Sequence, residues 1–383
     1  MTFFAFGLKS PYMKSIARYL KNQIIQDLNK KMVFLGGPRQ VGKTTLSRTI
    51  SSNFGYLNWD ESTHRTKILN NQLPEKKLIV LDELHKYKQW RNWLKGKFDT
   101  LKNDHQFLIT GSARLDLYRY SGDSLQGRYF YHRLLPLSVA ELKIKSSKDF
   151  KDLLKLSGFP EPFFAGSEKE YRRWSKDYRS RLFRDDIQTI ERIEDLGTME
   201  LLSIRLPDLV GSPLSINALR EDLQTSFKKA ARYLDILERN YSFFRISPFG
   251  SPKIRAVKKE QKHYHYDWAL CPDDAQRLEN LVGCHLLKWV YFQEDTEGLD
   301  IELRYFRDSD GREVDFVVVQ NKHPILFVEV KSSSKSISPH LKYLKNKYPE
   351  TKAVQVHTDE KVHFVSPEGI ISIPVWKFLA DYI

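Results

Sequence analysis

The segment that most restricts the fold of this chain is GGPRQVGKTTL, residues 36–46. The apolar run MVFLG before it predicts a buried strand, and the residues after Lys43 predict a helix. Between these elements, the pattern G-x-x-x-x-G-K-[ST] is matched by Gly37, Gly42, Lys43 and Thr44. In such a phosphate-binding loop, or P-loop, backbone N–H groups hold the phosphates, the lysine reaches the β and γ oxygens, and the threonine binds Mg²⁺. The predicted nucleotide-binding residues are Gly37, Pro38, Arg39, Gln40, Val41, Gly42, Lys43, Thr44 and Thr45.

Two further apolar runs end in polar side chains that suit the same chemistry. KLIVLDELH predicts a strand that ends at Asp82 and Glu83. In P-loop NTPases the first acid after such a strand belongs to the Mg²⁺ shell, so we assign Asp82 to the metal and Glu83 to the attacking water. The alternative for Glu83 is a solvated helix cap. QFLITGSARL predicts a strand that is followed by Ser112, at the edge that faces ligands in an open parallel sheet, so we interpret Ser112 as a sensor of the γ-phosphate or the water.

Composition sets the broad class. The 383 residues favour two or three domains, and 41% hydrophobic with 29% charged residues is typical of a soluble globular protein. The chain has no apolar run of about 18 residues, so we expect no membrane span. The first residues lack a basic leader and a cleavage site, and two cysteines are too few for a disulfide framework. A reducing cytoplasm is the expected setting.

The charge balance favours an anionic partner. Lys and Arg outnumber Asp and Glu by 62 to 48, which gives a net charge of +14. Such an excess suits nucleic acid, whose phosphates bind basic side chains and release counterions. Ordinary surface solubility is the alternative explanation.

Several segments together resemble a known family. GGPRQVGKTTL, YLNWDE, LIVLDELHKYKQW, LITGSARL and LQGRYFYHRLLPLSVAEL follow one another as in a bacterial and archaeal group of AAA-type P-loop ATPases. Members of this group end in a domain of unknown function. Four segments of this chain resemble that domain: SGFPEPF, YHYDWAL, LENLVGCHLL, and GREVDFVVV followed by FVEVKSS. The resemblance covers nearly the whole chain.

This resemblance implies a five-stranded parallel sheet flanked by helices, with ATP and Mg²⁺ at its edge. It assigns ATP binding to the P-loop with Lys43, the acidic pair to Asp82 and Glu83, and the sensor to Ser112. Arg39 and Arg128 match positions that are usually basic in the group. Either arginine would supply a cation to the γ-phosphate, or else form a surface salt bridge, and the sequence leaves open which of them, if any, acts across a subunit boundary in a homo-oligomer.

The middle of the chain predicts a DNA-contacting element. SPLSINALREDLQTSFKKAARYLDILERN contains two helical repeats joined by a short polar turn, with Ser215 as a cap and Ala231 facing inward. This pattern is typical of a helix-turn-helix, whose second helix would present Lys228, Lys229 and Arg232 to nucleic acid. The next segment, residues 241–259, has a hairpin pattern with five basic residues, as in a wing. A winged helix that only packs domains together is the alternative.

Near the end, REVDFVVVQNKHPILFVEVKSS contains two apolar strands that carry Asp315, Glu329 and Lys331. Alternation puts Glu329 and Lys331 on one face of a strand, and a hairpin would bring Asp315 beside them. This D…E-x-K pattern resembles the PD-(D/E)xK core of restriction-endonuclease-like nucleases, and Glu279 matches a frequent fourth acidic position. Asp315, Glu329 and Glu279 would bind Mg²⁺ while Lys331 activates water, unless the fold is an inactive binding module.

The sequence therefore predicts an α/β protein of three parts. These are an AAA-type P-loop ATPase domain (1–145), a helical linker with a winged helix (146–260), and a restriction-endonuclease-like α/β domain (261–383). We expect a Mg²⁺-dependent ATPase that is coupled to a DNA-contacting C-terminal half, and the sequence leaves open whether that half is nucleolytic. The alternative is a nucleotide-dependent regulatory switch or interaction protein with a catalytically inactive nuclease-like fold.

Overall fold

The computed structural model describes residues 16–111, 125–187, 195–250, 261–334 and 336–383. Its N-terminal domain is built on five strands: β1 (Met32–Gly36), β2 (Phe54–Asn58), β3 (Leu78–Asp82), β4 (Gln106–Thr110) and β5 (Tyr129–Arg133). They form one sheet in the order β2-β3-β4-β1-β5, and all neighbours pair in parallel. The predicted five-stranded parallel sheet is confirmed.

Helices cover this sheet: α1 (Lys21–Asp27), α2 (Lys43–Thr49), α3 (Ser62–Leu69) and α4 (Trp90–Leu101). β1 and β3 are buried along their whole length, as expected for inner strands of a parallel sheet that is covered on both faces. Because parallel strands end at the same edge, the loop after β1 and the acids after β3 share that edge.

The middle of the chain is mostly helical. Its α-helices are α5 (Val139–Leu142), α6 (Ser147–Leu156), α7 (Pro160–Ala165), α8 (Glu168–Arg181), α9 (Leu196–Arg205), α10 (Ile216–Asp222) and α11 (Phe227–Arg239). Ser215 caps α10 as predicted, since its hydroxyl accepts a hydrogen bond from the Ala218 amide. Ala231 was expected to face the core, but it is partly exposed and lines a surface groove, because the buried stripe of α11 runs through Ala230, Leu234 and Leu237.

The C-terminal half contains a mixed sheet. Its strands are β6 (Phe243–Pro248), β7 (Lys262–His265), β8 (Ile301–Arg307), β9 (Glu313–Gln320), β10 (His323–Val330), β11 (Lys352–His357), β12 (Phe364–Val365) and β13 (Ile371–Pro374). The helices are α12 (Asp274–Phe292), α13 (Pro339–Lys347) and α14 (Val375–Leu379). The strand order is β12-β13-β11-β10-β9-β8-β6-β7, so a mixed α/β domain follows the parallel one.

The β6–β7 hairpin joins the helical region to the C-terminal sheet. β7 pairs antiparallel with β6, and β6 pairs in parallel with β8. A domain boundary after residue 260 therefore cuts this hairpin. Residues 251–259, about half of the predicted wing, lie outside the described part of the chain, including four of its five basic residues.

None of the helices in the described ranges combines the length and the apolar composition needed to cross a bilayer.

Candidate functional site

The P-loop has the backbone that its glycines permit. Gly37 and Gly42 adopt φ angles of 133° and 99°. A Cβ atom on Gly37 would lie 2.2 Å from the carbonyl oxygen of Leu134, so only glycine fits there. Inside the loop, the Lys43 ammonium donates hydrogen bonds to the carbonyls of Gly37 and Pro38, at 2.8 and 2.6 Å. Its charge therefore lies within the curve of the loop.

Asp82 is the centre of a hydrogen-bonded group at the carboxyl edge of the sheet. Its Oδ2 accepts hydrogen bonds from the hydroxyls of Thr44, at 2.9 Å, and Tyr56, at 2.6 Å, and its Oδ1 accepts one from Thr110 at 2.5 Å. The Thr44 hydroxyl and the Asp82 carboxylate are adjacent oxygen ligands of the kind that Mg²⁺ prefers. These residues fit the magnesium ion that accompanies a nucleotide.

Tyr56 is a member of this group that sequence reasoning missed. Burial, reinforced by the hydrogen bond to Asp82, raises the pKa of the Tyr56 hydroxyl far above its usual value. The hydroxyl therefore stays protonated and donates to the carboxylate. Its position in the YLNWDE segment was visible, but only the pairing of β2 with β3 brings it to Asp82.

Glu83 lies beside this group in an unusual backbone conformation. Its φ angle is 56°, and its amide donates to the Thr110 carbonyl at 3.0 Å. Such left-handed non-glycine residues cluster at functional sites. The pKa of Glu83 is raised above its usual value, because the effect of burial outweighs the opposite effect of the Lys86 ammonium, which lies 3.2 Å from Oε2 of Glu83. Lys86 also pairs with Asp60 at 2.6 Å, so a lysine that the sequence did not single out holds the carboxylate in position.

The remaining predicted residues of this site have different outcomes. Ser112 lies outside the described residues. Arg39 is partly exposed in the loop. Arg128 precedes β5 next to the start of β1, at the edge of the sheet opposite the P-loop and roughly 15 Å away, and it pairs with Asp99. Arg128 thus forms the surface salt bridge that was the alternative for it, and a role of this arginine at the γ-phosphate stays a prediction.

Two hydrogen bonds of the P-loop lead toward other parts of the chain than the first sheet. The Gln40 side chain accepts a hydrogen bond of 2.8 Å from the indole of Trp174 on α8. The buried guanidinium of Arg18 donates to the carbonyl of Val41 at 2.7 Å and pairs with Glu141 at 2.8 Å. Glu141 in turn contacts Lys288 of α12, so the loop is linked to the C-terminal domain through buried polar groups.

The second predicted site is a cluster of carboxylates on α12, β9 and β10. Asp315 accepts a hydrogen bond of 2.8 Å from the Val330 amide, and Glu329 pairs with Lys331 at 2.6 Å. Burial and the charge of Asp315 raise the pKa of Glu329 to about 7 and that of Glu279 to about 8. The structure thus brings together all four residues predicted from the D…E-x-K pattern.

The same cluster contains residues that the prediction did not include. Lys262 of β7 is 1% exposed, and its ammonium lies 2.5 Å from Glu313 and 3.6 Å from Glu279. The Tyr264 hydroxyl donates to the same oxygen of Glu279 at 2.7 Å. No sequence signal connected β7 to the acidic pattern, because about 50 residues separate them.

This arrangement does not fit the predicted Mg²⁺ site. Within the described residues, no three His, Cys, Asp or Glu side chains converge as ligands of one metal ion. Several of the carboxylate oxygens instead contact Lys262, Tyr264, Lys331 and a backbone amide, while Oε2 of Glu329 is buried without a hydrogen-bond partner among the described residues. The expectation that Glu279, Asp315 and Glu329 hold Mg²⁺ is therefore not met by their positions.

A strand, a glycine-rich loop and a helix surround Lys43, and Thr44 is hydrogen-bonded to Asp82 at the end of β3. This arrangement defines a P-loop NTPase domain that binds nucleotide. Residues 29–143 match the family model of an AAA domain, and residues 276–378 match a domain of unknown function, DUF4143. The chain therefore carries an AAA-type P-loop ATPase domain and a C-terminal DUF4143 domain. Residues 147–277, between them, match a second domain of unknown function, DUF8612.

The chain is similar in sequence to proteins that are themselves uncharacterized. An uncharacterized protein of Mycobacterium tuberculosis is 26% identical over 319 residues, which cover 80% of this chain and 72% of that protein. An uncharacterized protein of Methanocaldococcus jannaschii is 22% identical over 418 residues, which cover 94% and 90%. Among solved structures, the RuvB Holliday junction branch migration motor of Thermotoga maritima is 19% identical, with 64% of this chain and 92% of that one covered, but the TM-score is only 0.29.

Proposed function

We propose that this protein is a Mg²⁺-dependent ATPase. The observation that carries the proposal is the edge of the first sheet, where Lys43, the Thr44–Asp82 hydrogen bond and the Glu83 carboxylate lie together. Lys43 would bind the β and γ oxygens of ATP, and Glu83 would orient the attacking water and accept its proton. Mg²⁺, when bound by Thr44 and Asp82, would neutralise charge on the phosphates. A partly buried Glu83 with a raised pKa is a stronger base than an exposed glutamate.

Two substitutions test this assignment. Lys43→Ala should abolish binding of a fluorescent ATP analogue, because the loop loses its cation. Glu83→Gln should bind ATP normally and release no phosphate, whereas the matched control Glu75→Gln, at an exposed carboxylate, should hydrolyse ATP like the wild type. Normal turnover in Glu83→Gln would rule out its role as the base.

We propose further that the region between the two sheets is a winged helix that contacts DNA. The order of α9, a bridge between Pro213 and Lys262, α10, α11 and the β6–β7 hairpin supports this fold. Along the outer side of α11, a groove is lined by Lys228, Arg232 and Arg239, which are exposed. Lys229 pairs with Asp195 at 3.3 Å and is a weaker candidate. Because these side chains form a basic stripe, we expect phosphate contacts rather than reading of bases.

A salt titration with duplex DNA tests the stripe. Replacing both Lys228 and Arg232 with Ala should weaken binding of all sequences and reduce the slope of log affinity against log salt by about 2. The control Lys148→Ala/Lys151→Ala removes two exposed charges from α6 and should leave the slope unchanged. Absence of DNA binding by the wild type at low salt would favour the alternative, a nucleotide-dependent switch in which the winged helix only packs.

For the C-terminal domain we propose a restriction-endonuclease-like fold that binds rather than cleaves. The order α12-β8-β9-β10-α13-β11, with antiparallel β8–β9 and β9–β10 and parallel β10–β11, supports the fold. The lysine contacts inside the carboxylate cluster favour the inactive alternative. The wild type should leave DNA intact in Mg²⁺ or Mn²⁺. Cleavage that disappears in Asp315→Ala and Lys331→Ala would contradict this proposal.

A further inference from the structure

Lys262 lies where the carboxylate cluster needs a positive charge. It is almost fully buried, and a buried ammonium is stable only beside anionic partners. Its ammonium lies between Glu313 and Glu279, at 2.5 and 3.6 Å. Burial would lower the pKa of Lys262, but the charges of Glu279, Asp315 and Glu313 outweigh it and raise that pKa above its usual value. Lys262 therefore remains charged in the cluster.

The lysine lies on a different strand from the acids, at one edge of the same mixed sheet. Lys262 opens β7, which pairs with β6 in the hairpin that follows α11, whereas the acids lie on α12, β9 and β10. A second residue of the same strand, Tyr264, donates to Glu279 at 2.7 Å. Gly211, from the segment before α10, also approaches this carboxylate, since a Cβ atom there would lie 3.0 Å from Glu279 Oε2. The helical region thus closes one side of the cluster.

Lys331 has a separate role on the other side. It is 46% exposed and pairs with Glu329, which is buried. The two lysines therefore approach the acids from opposite directions, Lys262 from the protein interior and Lys331 from the solvent. Of these two lysines, it is Lys262 that pairs with Glu279 and Glu313; Arg307 also lies 3.8 Å from Glu313.

We propose that Lys262 is the resident cation of this carboxylate cluster and that it excludes a divalent metal ion from it. An ammonium and a divalent ion that share the same carboxylates repel one another at a few ångströms, and the repulsion is strong here because Lys262 is buried. The acids consequently hold the β6–β7 hairpin to the C-terminal sheet instead of forming a metal centre. The inference rests on the proposed nuclease-like fold of this domain and is independent of ATP hydrolysis.

Mn²⁺ binding to the full chain without nucleotide tests the proposal, measured by the loss of the free-ion EPR signal. In a Thr44→Ala background, which removes the P-loop ligand, Asp315→Asn should not change Mn²⁺ binding, because Lys262 occupies the cluster. Lys262→Met should gain one Mn²⁺ per chain, and adding Asp315→Asn should abolish that gain. The matched control Lys331→Met, which keeps Lys262, should gain none.

Two results would overturn the proposal. One is that the Thr44→Ala chain binds Mn²⁺ and that adding Asp315→Asn removes this binding. This comparison stays valid even if Lys262→Met fails to fold. The other is a folded Lys262→Met variant that gains no Mn²⁺. Neither measurement depends on DNA binding, DNA cleavage or ATP turnover, so failure of this inference is distinguishable from failure of the proposed functions.

Discussion

Replacement of Glu141 should destabilise the protein far more than replacement of its partner Lys288. Glu141 pairs with both Arg18 and Lys288, and all three side chains are at most 8% exposed. Glu141→Gln keeps the shape of the side chain but leaves two buried cations without an anion. Lys288→Met leaves the balanced Arg18–Glu141 pair and removes one buried charge.

The magnitude follows from the pKa of Glu141. Burial alone would raise this pKa, but Arg18 and Lys288 outweigh burial and hold it at about 2, against the usual 4.5. That difference corresponds to about 3 kcal/mol, which agrees with the roughly 3–5 kcal/mol for breaking a buried ion pair. Lys288→Met should cost less than about 1 kcal/mol, because burial lowers the pKa of Lys288 to about 8 and its charge is costly to keep.

Urea unfolding of the two variants at pH 7, with the wild type alongside, measures these costs. A carboxylate with a lowered folded pKa stabilises the fold above its unfolded pKa, and this stability is lost as the pH falls from 4.5 to about 2. The gap between wild type and Glu141→Gln should therefore narrow below pH 4.5. Equal costs for Glu141→Gln and Lys288→Met, or a gap that does not change with pH, would refute the unpaired-charge reasoning.

Two other predictions concern the P-loop contact and the buried histidines. Trp174→Phe removes the hydrogen-bond donor to Gln40 and should weaken binding of a fluorescent ATP analogue by roughly fivefold, about 1 kcal/mol. The control Trp93→Phe breaks a similar but exposed hydrogen bond to Asn71 and should leave that binding unchanged. Burial lowers the pKa of His263 to about 4 and of His265 to about 3, so both stay neutral in the fold. As the pH drops, these histidines are protonated in the unfolded chain before they are protonated in the fold, so the free energy of unfolding should fall from pH 6.5 toward pH 4. This loss should be smaller in His263→Gln. The same pH dependence in the variant and the wild type would exclude a contribution from His263.

Local patterns in the sequence predicted the parts of the ATPase site that lie within single elements. The apolar run before the glycines predicted β1, and the run before Asp82 predicted β3. Both predictions succeed because a strand buried on two faces must be continuously apolar. The position of Tyr56 was not predictable, since it depends on which strands are neighbours, and strand order is a property of the whole sheet.

The carboxylate cluster is a second case in which the sequence did not predict all of the residues that lie together. Alternation along one strand placed Glu329 beside Lys331, and the salt bridge between them has that geometry. The same reasoning assigned a metal ion to these acids, because nothing in the local pattern includes Lys262. The burial of Lys262 beside Glu313 arises when the β6–β7 hairpin pairs with β8 at the edge of the mixed sheet.

The sequence by itself therefore determined the elements and the chemistry they carry: a phosphate-binding turn, an acidic strand end, and a hairpin with D…E-x-K. Those features are set by the order of residues over a few turns or strands, where backbone geometry fixes which side chains share a face. The tertiary structure decided the partners of each charge, including Lys86 beside Glu83 and Lys262 among the C-terminal acids. A buried charge loses its hydration and therefore needs an opposite charge beside it. Packing brings that partner from a distant segment of the chain.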